Sequence, residues 1–140
     1  SKSLLVVDLS EKCIELCKER FRDCKNMQFF MNDGSTLEFI STESIDRIWS
    51  FDVFVHIAPR ETENYLYEFH RVMRPGGRAI VHHPRTGRQF GGWRSGTTTE
   101  LFAKMLRDRG FTVVRQIDSW GDGGEFNLSL HNDIITVFEK

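Results

Sequence analysis

Several things are scarce in this sequence, and each scarcity narrows its function. No run of about 18 apolar residues occurs, so no helix that crosses a membrane is expected. Charge of either sign is not in excess: 19 Lys and Arg against 20 Asp and Glu leave a formal net charge of -1. Without a global field, neither nucleic acid nor an anionic membrane is expected as a partner. Cysteine is limited to Cys13, Cys17 and Cys24, an odd number in one short region. A disulfide framework is therefore not expected, and a reducing compartment, the cytoplasm, is. No signal-peptide pattern is recognisable, and the sequence opens on Ser1, which leaves room for a removed start or leader. The glycosylation-acceptor pattern at Asn127-Leu128-Ser129 is discounted for want of a secretion signal. No internal repeat or low-complexity segment is found.

What is there is ordinary in bulk and specific in order. A chain of 140 residues, 39% hydrophobic and 28% charged, suits one globular domain. Twelve Phe and three Trp favour a well-filled core or an aromatic-lined pocket. The most organised stretch runs from Ile45 to Pro84. Ile45–Phe51 is short, apolar and β-rich, which predicts a buried strand. Pro59 suits the first turn of a helix, where its missing N–H is harmless. Leu66, Phe69, Val72 and Met73 then recur at helical spacing. Pro75-Gly76-Gly77 predicts a helix stop and turn, and Arg78–His83 a second strand. Strand, crossover helix and strand in about 40 residues make a βαβ unit with parallel strands.

The flanks extend the pattern. Leu4–Asp8 (LLVVD) predicts a strand ending in an acid, and Ser10 can cap the helix after it. Ile14, Cys17, Phe21 and Cys24 share one face at helical spacing, and for Cys13 and Cys17 free buried thiols are a better reading than zinc ligands. Met27–Met31 predicts a strand ending at Asn32-Asp33-Gly34, and Leu37–Glu43 a loop with a short helix. Arg85–Gly96 is a polar, glycine-containing loop of a length often used as a lid or binding loop. Thr97 and Glu100 have capping-box spacing before a helix carrying Leu101, Phe102, Met105 and Leu106, which Gly110 ends. Phe111–Trp120 and Ile134–Phe138 predict the last strands. The expected fold is α/β, a doubly wound, mostly parallel sheet closed by a C-terminal antiparallel hairpin.

In this order the pieces resemble class I S-adenosylmethionine-dependent methyltransferases. LLVVDLSEKCIELCKERF is similar to the family's second strand and helix, MQFFMNDG to its third strand, and IDRIWSFDVFVHI to its fourth strand and exit. FHRVMRPGGRAIVHHP resembles the next helix, turn and fifth strand, and LFAKMLRDRGF, TVVRQIDSW and DIITVFE the last helix and hairpin. The resemblance implies a Rossmann-like fold and S-adenosylmethionine as cofactor. It implies cofactor contacts at Asp8 (ribose hydroxyls), Leu9, Asp33 (adenine amino group) with Gly34 beside it, and Ser50 and Phe51. Asp52 and His56 fall where the family meets substrate or methyl donor, and the acceptor is expected to be a small molecule.

The family's first strand and glycine-rich turn, which bring backbone N–H groups to the cofactor, have no counterpart before Leu4. The expectation is a single methyltransferase-like domain over 1–140, truncated at its N-terminus and binding S-adenosylmethionine weakly. The strands that would flank the missing one predict an exposed edge and, from it, a homodimer.

Each candidate has a plainer alternative. Asp8 can accept two hydrogen bonds from a vicinal diol, or serve as the acid at a helix start. Asp33 can accept from an amino group, or form an Asn-Asp-Gly turn. Asp52, His56 and His83 are the candidate catalytic residues, a base being needed where the acceptor is a hydroxyl or acid. His56 can equally pack the following helix. His82 and His83 alternate on a strand, so only one can face the cleft. Trp93 and Arg94 can stack on or clamp an acceptor, or lie in a solvent loop. No metal-type spacing is present, and no metal is expected.

Two further readings compete with a methyltransferase. One is a non-catalytic remnant acting as an oligomerising or partner-binding module. The other is a dinucleotide-binding oxidoreductase, suggested by the strand-terminal Asp8. The absence of GxGxxG counts against the oxidoreductase, and the PGG turn favours the methyltransferase.

Overall fold

The computed structural model describes residues 3–87, 93–128 and 131–140. They fall into two compact units, Ser1–Leu37 and Glu38–Lys140. Residues 88–92 of the expected long loop, with its Gly91 and Gly92, and Ser129 of the acceptor pattern lie outside the described residues.

The first unit is β1 (Leu4–Asp8), α1 (Glu11–Arg20) and β2 (Met27–Met31). β1 and β2 pair in parallel, from Leu4 opposite Met27 to Asp8 opposite Met31. Ser10 caps α1, its hydroxyl accepting the Cys13 N–H at 3.3 Å. The expected apolar face is shorter than its spacing suggested. α1 stops at Arg20, Phe21 takes the cap position, and its N–H returns to the Cys17 carbonyl at 2.9 Å. Cys24 therefore lies beyond the helix and is exposed, as is Cys13, while Ile14 is the buried residue of the face.

The second unit holds β3 (Ile45–Ser50), α2 (Pro59–Val72), β4 (Met73–Pro84), α3 (Thr99–Asp108), β5 (Thr112–Ile117), β6 (Ser119–Trp120), β7 (Phe126–Asn127) and β8 (Asp133–Glu139). Its main sheet has the order β3-β4-β8-β5, with β3 parallel to β4 and β8 antiparallel to both neighbours. The core is the stripe Leu66, Phe69 and Val72 of α2 and Phe102, Met105 and Leu106 of α3, against Val81 of β4 and Phe138 of β8. Aromatic edges lock it: Phe111 meets Phe138 at 4.9 Å between ring centroids.

Three local expectations change. Pro75-Gly76-Gly77 is not the helix stop. α2 ends at Val72 and β4 begins at once, because the Glu43 and Ser44 N–H groups take the Arg71 and Val72 carbonyls. The three residues instead bulge out of β4, whose pairing with β3 jumps from Met73–Ile45 to Arg78–Arg47. Leu37–Glu43 contains no helix. Its turns are held from outside, Arg71 donating to the Ile40 carbonyl at 2.8 Å, and Glu43 has φ 51°. The strand expected over Phe111–Trp120 is two, β5 on the main sheet and β6 paired with β7. The cap of α3 is Thr98, one residue later than expected, its hydroxyl accepting the Leu101 N–H at 3.1 Å.

Candidate functional site

In the first unit the candidates sit where β1 and β2 end. Asp8 is exposed, and its Oδ1 accepts the Ser10 N–H at 2.8 Å, which turns the carboxylate toward the start of α1. Its other oxygen has no protein donor among the described residues, so an acceptor remains for a ligand hydroxyl. Leu9 beside it is 64% exposed, an apolar surface next to a carboxylate. Asp33 is also exposed but spends more of itself locally. Its Oδ1 accepts the Ser35 and Thr36 N–H groups at 2.8 Å each, and its Oδ2 the Ser35 hydroxyl at 3.1 Å. Those bonds, the Ser35 amide first, hold its carboxyl down at about 2. Gly34 has φ +82°, and a Cβ there would meet Leu9 Cδ1 at an ordinary 3.6 Å. The turn, not close packing, is what asks for glycine at this position.

In the second unit the candidates sit at the ends of β3 and β4. Ser50 closes β3 and is half-buried. Phe51 stacks on His82 at 4.4 Å and more loosely on Trp49 at 6.1 Å between ring centroids. Asp52 is exposed, has φ 59°, and its N–H donates to His82 Nδ1 at 3.0 Å. His56 is exposed and stacks on Trp93, with its Nδ1 3.2 Å from the Trp93 carbonyl oxygen. A carbonyl only accepts, so the His56 proton is on Nδ1 and Nε2 presents a lone pair.

The two adjacent histidines separate as strand alternation requires, but in the opposite sense to the one expected. His83 turns into the core, is fully buried and stacks on Phe102 at 4.0 Å. Both its nitrogens are committed, Nδ1 to the Pro84 carbonyl and Nε2 to the Thr136 hydroxyl, each at 2.8 Å. Burial pushes its pKa down to about 4. It is a satisfied core histidine out of reach of a ligand. His82 is the histidine beside Asp52. Its Nε2 lies 3.3 Å from Asp133 Oδ2, and that carboxylate pairs with Arg94. All three side chains are at least nine-tenths buried. Arg94, for which an acceptor clamp and a solvent loop were both open readings, is turned inward, while Trp93 stays 60% exposed under its guanidinium.

Asp133 was not visible as a candidate in the sequence. The signal was its place opposite Pro84 in the antiparallel β4–β8 register, with α3, β5, β6 and β7 between it and His82 in the chain. Among the described residues no group of three or more His, Cys, Asp or Glu could hold a metal ion.

Residues 1–77, more than half of the chain, match the family model described as a methyltransferase domain. This chain belongs to that family. It is similar in structure to an S-adenosylmethionine-dependent methyltransferase from Mesorhizobium loti, at TM-score 0.77 and 13% identity over 100% of this chain and 81% of that one. It also resembles a protein of Galdieria sulphuraria assigned as a sarcosine dimethylglycine methyltransferase (TM-score 0.74, 14% identity, 99% of this chain, 69% of that). A third is a methyltransferase in complex with the Haloferax volcanii Trm112 methyltransferase activator (0.76, 14%, 99% and 72%). At such identities the likeness carries the fold, the Rossmann-like α/β fold of class I S-adenosylmethionine-dependent methyltransferases. Within the matched segment the strand-terminal acid, Asp8, is exposed and accepts the Ser10 amide on one oxygen.

Proposed function

We propose that this methyltransferase domain transfers a methyl group from S-adenosylmethionine to a small-molecule acceptor. The observation that carries the reading is Asp8, a strand-terminal carboxylate with one oxygen steadied by the Ser10 amide and the other open. Asp8 binds the ribose hydroxyls, Leu9 offers apolar contact, and Asp33 with Gly34 meets the adenine edge. Ser50 and Phe51 complete the cofactor contacts. Bound S-adenosylmethionine supplies an electrophilic methyl group on a sulfonium sulfur. On the acceptor side, His56 Nε2 takes the proton of a hydroxyl or acid acceptor, and Asp52 orients that acceptor. His83, enclosed by Phe102 and Thr136, has no part in it. The small-molecule class is supported by the Galdieria relative's assignment.

The 140 residues contain no glycine-rich turn ahead of β1, so this chain by itself binds S-adenosylmethionine weakly. Losing several backbone hydrogen bonds worth about 1 kcal/mol each corresponds to a dissociation constant of roughly 100 μM or more. Calorimetry with S-adenosylmethionine, on the wild type and Asp8→Ala, tests the reading.

A partner-binding role is a second reading. It is favoured by the edges: among the described residues β1 ladders only with β2 and β3 only with β4. Leu4 is 47% and Trp49 67% exposed on those strands. A second copy pairing there would make a homodimer. The Haloferax relative, held in complex with an activator, is a precedent for a partner of another kind.

A further inference from the structure

We propose that His82 is a positioning residue: by accepting the Asp52 amide and stacking on Phe51, it holds the segment after β3 in the geometry that ligand binding uses. The inference rests on the functional reading above for what Phe51 and Asp52 contact, and on geometry alone for how they are held.

Asp52 is a non-glycine residue at φ 59°, a backbone state that must be held by something around it. The hold is visible. The Asp52 N–H donates to His82 Nδ1 at 3.0 Å, and the Phe51 ring lies on the His82 ring at 4.4 Å and 17°. One side chain thus fixes both the backbone of Asp52 and the plane of Phe51. The β3–β4 ladder ends with Ser50 opposite Val81, which brings the next residues, Phe51 and His82, side by side.

The bond fixes the tautomer of His82. A nitrogen that accepts an amide carries no proton, so neutral His82 is protonated at Nε2, the atom facing Asp133 Oδ2. Asp133 is held in turn by Arg94. The groups facing the ring are Asp133 from β8, Arg94 from the loop before α3, Asp52 after β3 and His83 next to it. Burial lowers the His82 pKa, against the opposite pull of Asp133 and Asp52, which keeps Nδ1 available as an acceptor near neutral pH. Protonation at Nδ1 would set two donors face to face and release Asp52.

Two variants separate the acceptor from the ring. His82→Phe keeps the stack and loses the acceptor, and His82→Asn restores an acceptor oxygen close to the position of Nδ1. The readouts are hydrogen exchange of the Asp52 amide and binding of S-adenosylhomocysteine, each on the full chain. His82→Phe is expected to speed Asp52 exchange at least about tenfold and to weaken binding, with His82→Asn near wild type in exchange and between the two in binding, because it restores the acceptor but lacks the ring that stacks on Phe51. Unchanged exchange in His82→Phe, or His82→Asn as impaired as His82→Phe, overturns the proposal. Faster exchange with unchanged binding also overturns it, since His82 would then be structural only. Should His82→Phe not fold, nitrogen NMR of the wild-type ring decides: an unprotonated Nδ1 at pH 8, titrating together with the Asp52 amide shift, supports it, and a protonated Nδ1 overturns it. A wild type that binds no S-adenosylhomocysteine sinks the functional reading instead, while the exchange and ring measurements still judge how Asp52 is held.

Discussion

His83 Nε2 and the Thr136 hydroxyl face each other at 2.8 Å across the β4–β8 ladder, inside the core. The His83 Nδ1–H donates to the Pro84 carbonyl, so Thr136 donates to Nε2 and a neutral ring is satisfied on both sides. The folded pKa is pushed down to about 4 from 6.5. Below 6.5 the unfolded chain binds a proton that the folded chain refuses, so stability present above that pH is lost as pH falls toward 4. The loss approaches about 3 kcal/mol at most. Denaturant unfolding between pH 7 and 4 is expected to show it, and His83→Leu, though less stable at pH 7, is expected to flatten the dependence. An equal slope in both proteins would mean another group is responsible.

The bulge in β4 should be intolerant of side chains. A Cβ on Gly77 would sit 2.8 Å from the Arg74 carbonyl and 3.3 Å from that of Ile45, which are backbone atoms and cannot swing away. Gly76 has open space but φ +74°. Gly77→Ala is expected to cost about 1–3 kcal/mol and Gly76→Ala about 1 kcal/mol or less, measured by urea unfolding. The reverse order would contradict the geometry.

Asp133 is a buried acid whose charge is answered by Arg94. Arg94→Met leaves that carboxylate uncompensated and is expected to cost about 3–5 kcal/mol. Arg94→Met combined with Asp133→Asn should recover part of the loss. Thermal unfolding of both variants checks this, and a double variant no better than the single one would argue against the pair.

The edges of β1 and β3 that have no ladder partner among the described residues make a prediction about assembly. Light scattering at micromolar concentration is expected to give about twice the 16.4 kDa of one chain. A monomer at that concentration rules out edge pairing between copies.

How far the sequence could be read follows from distance along the chain. β1 and β2 were legible to the residue because apolar runs end at an acid in one and at a turn triplet in the other. The helix stripe Leu66, Phe69 and Val72 was legible for the same reason, since its period lies within one element. The PGG segment misled, because glycine and proline mark a departure from regular pairing without saying whether it is a turn or a bulge. His82 and His83 could be told apart only by what covers each face, namely Phe51 on one side and Phe102 on the other. Asp133 was hidden altogether: its role depends on the β4–β8 register, and neither His82 nor Arg94 is near it in sequence.

The most direct measurement is isothermal titration of S-adenosylmethionine into the wild-type chain and into Asp8→Ala. Asp8 has one carboxylate oxygen bound to the Ser10 amide and one open, so its loss should remove most of the ribose contact. The expected result is weak binding, with a dissociation constant of roughly 100 μM or more, that Asp8→Ala reduces to below detection. Binding that Asp8→Ala leaves unchanged, or no binding to the wild type at millimolar concentration, would contradict the cofactor assignment.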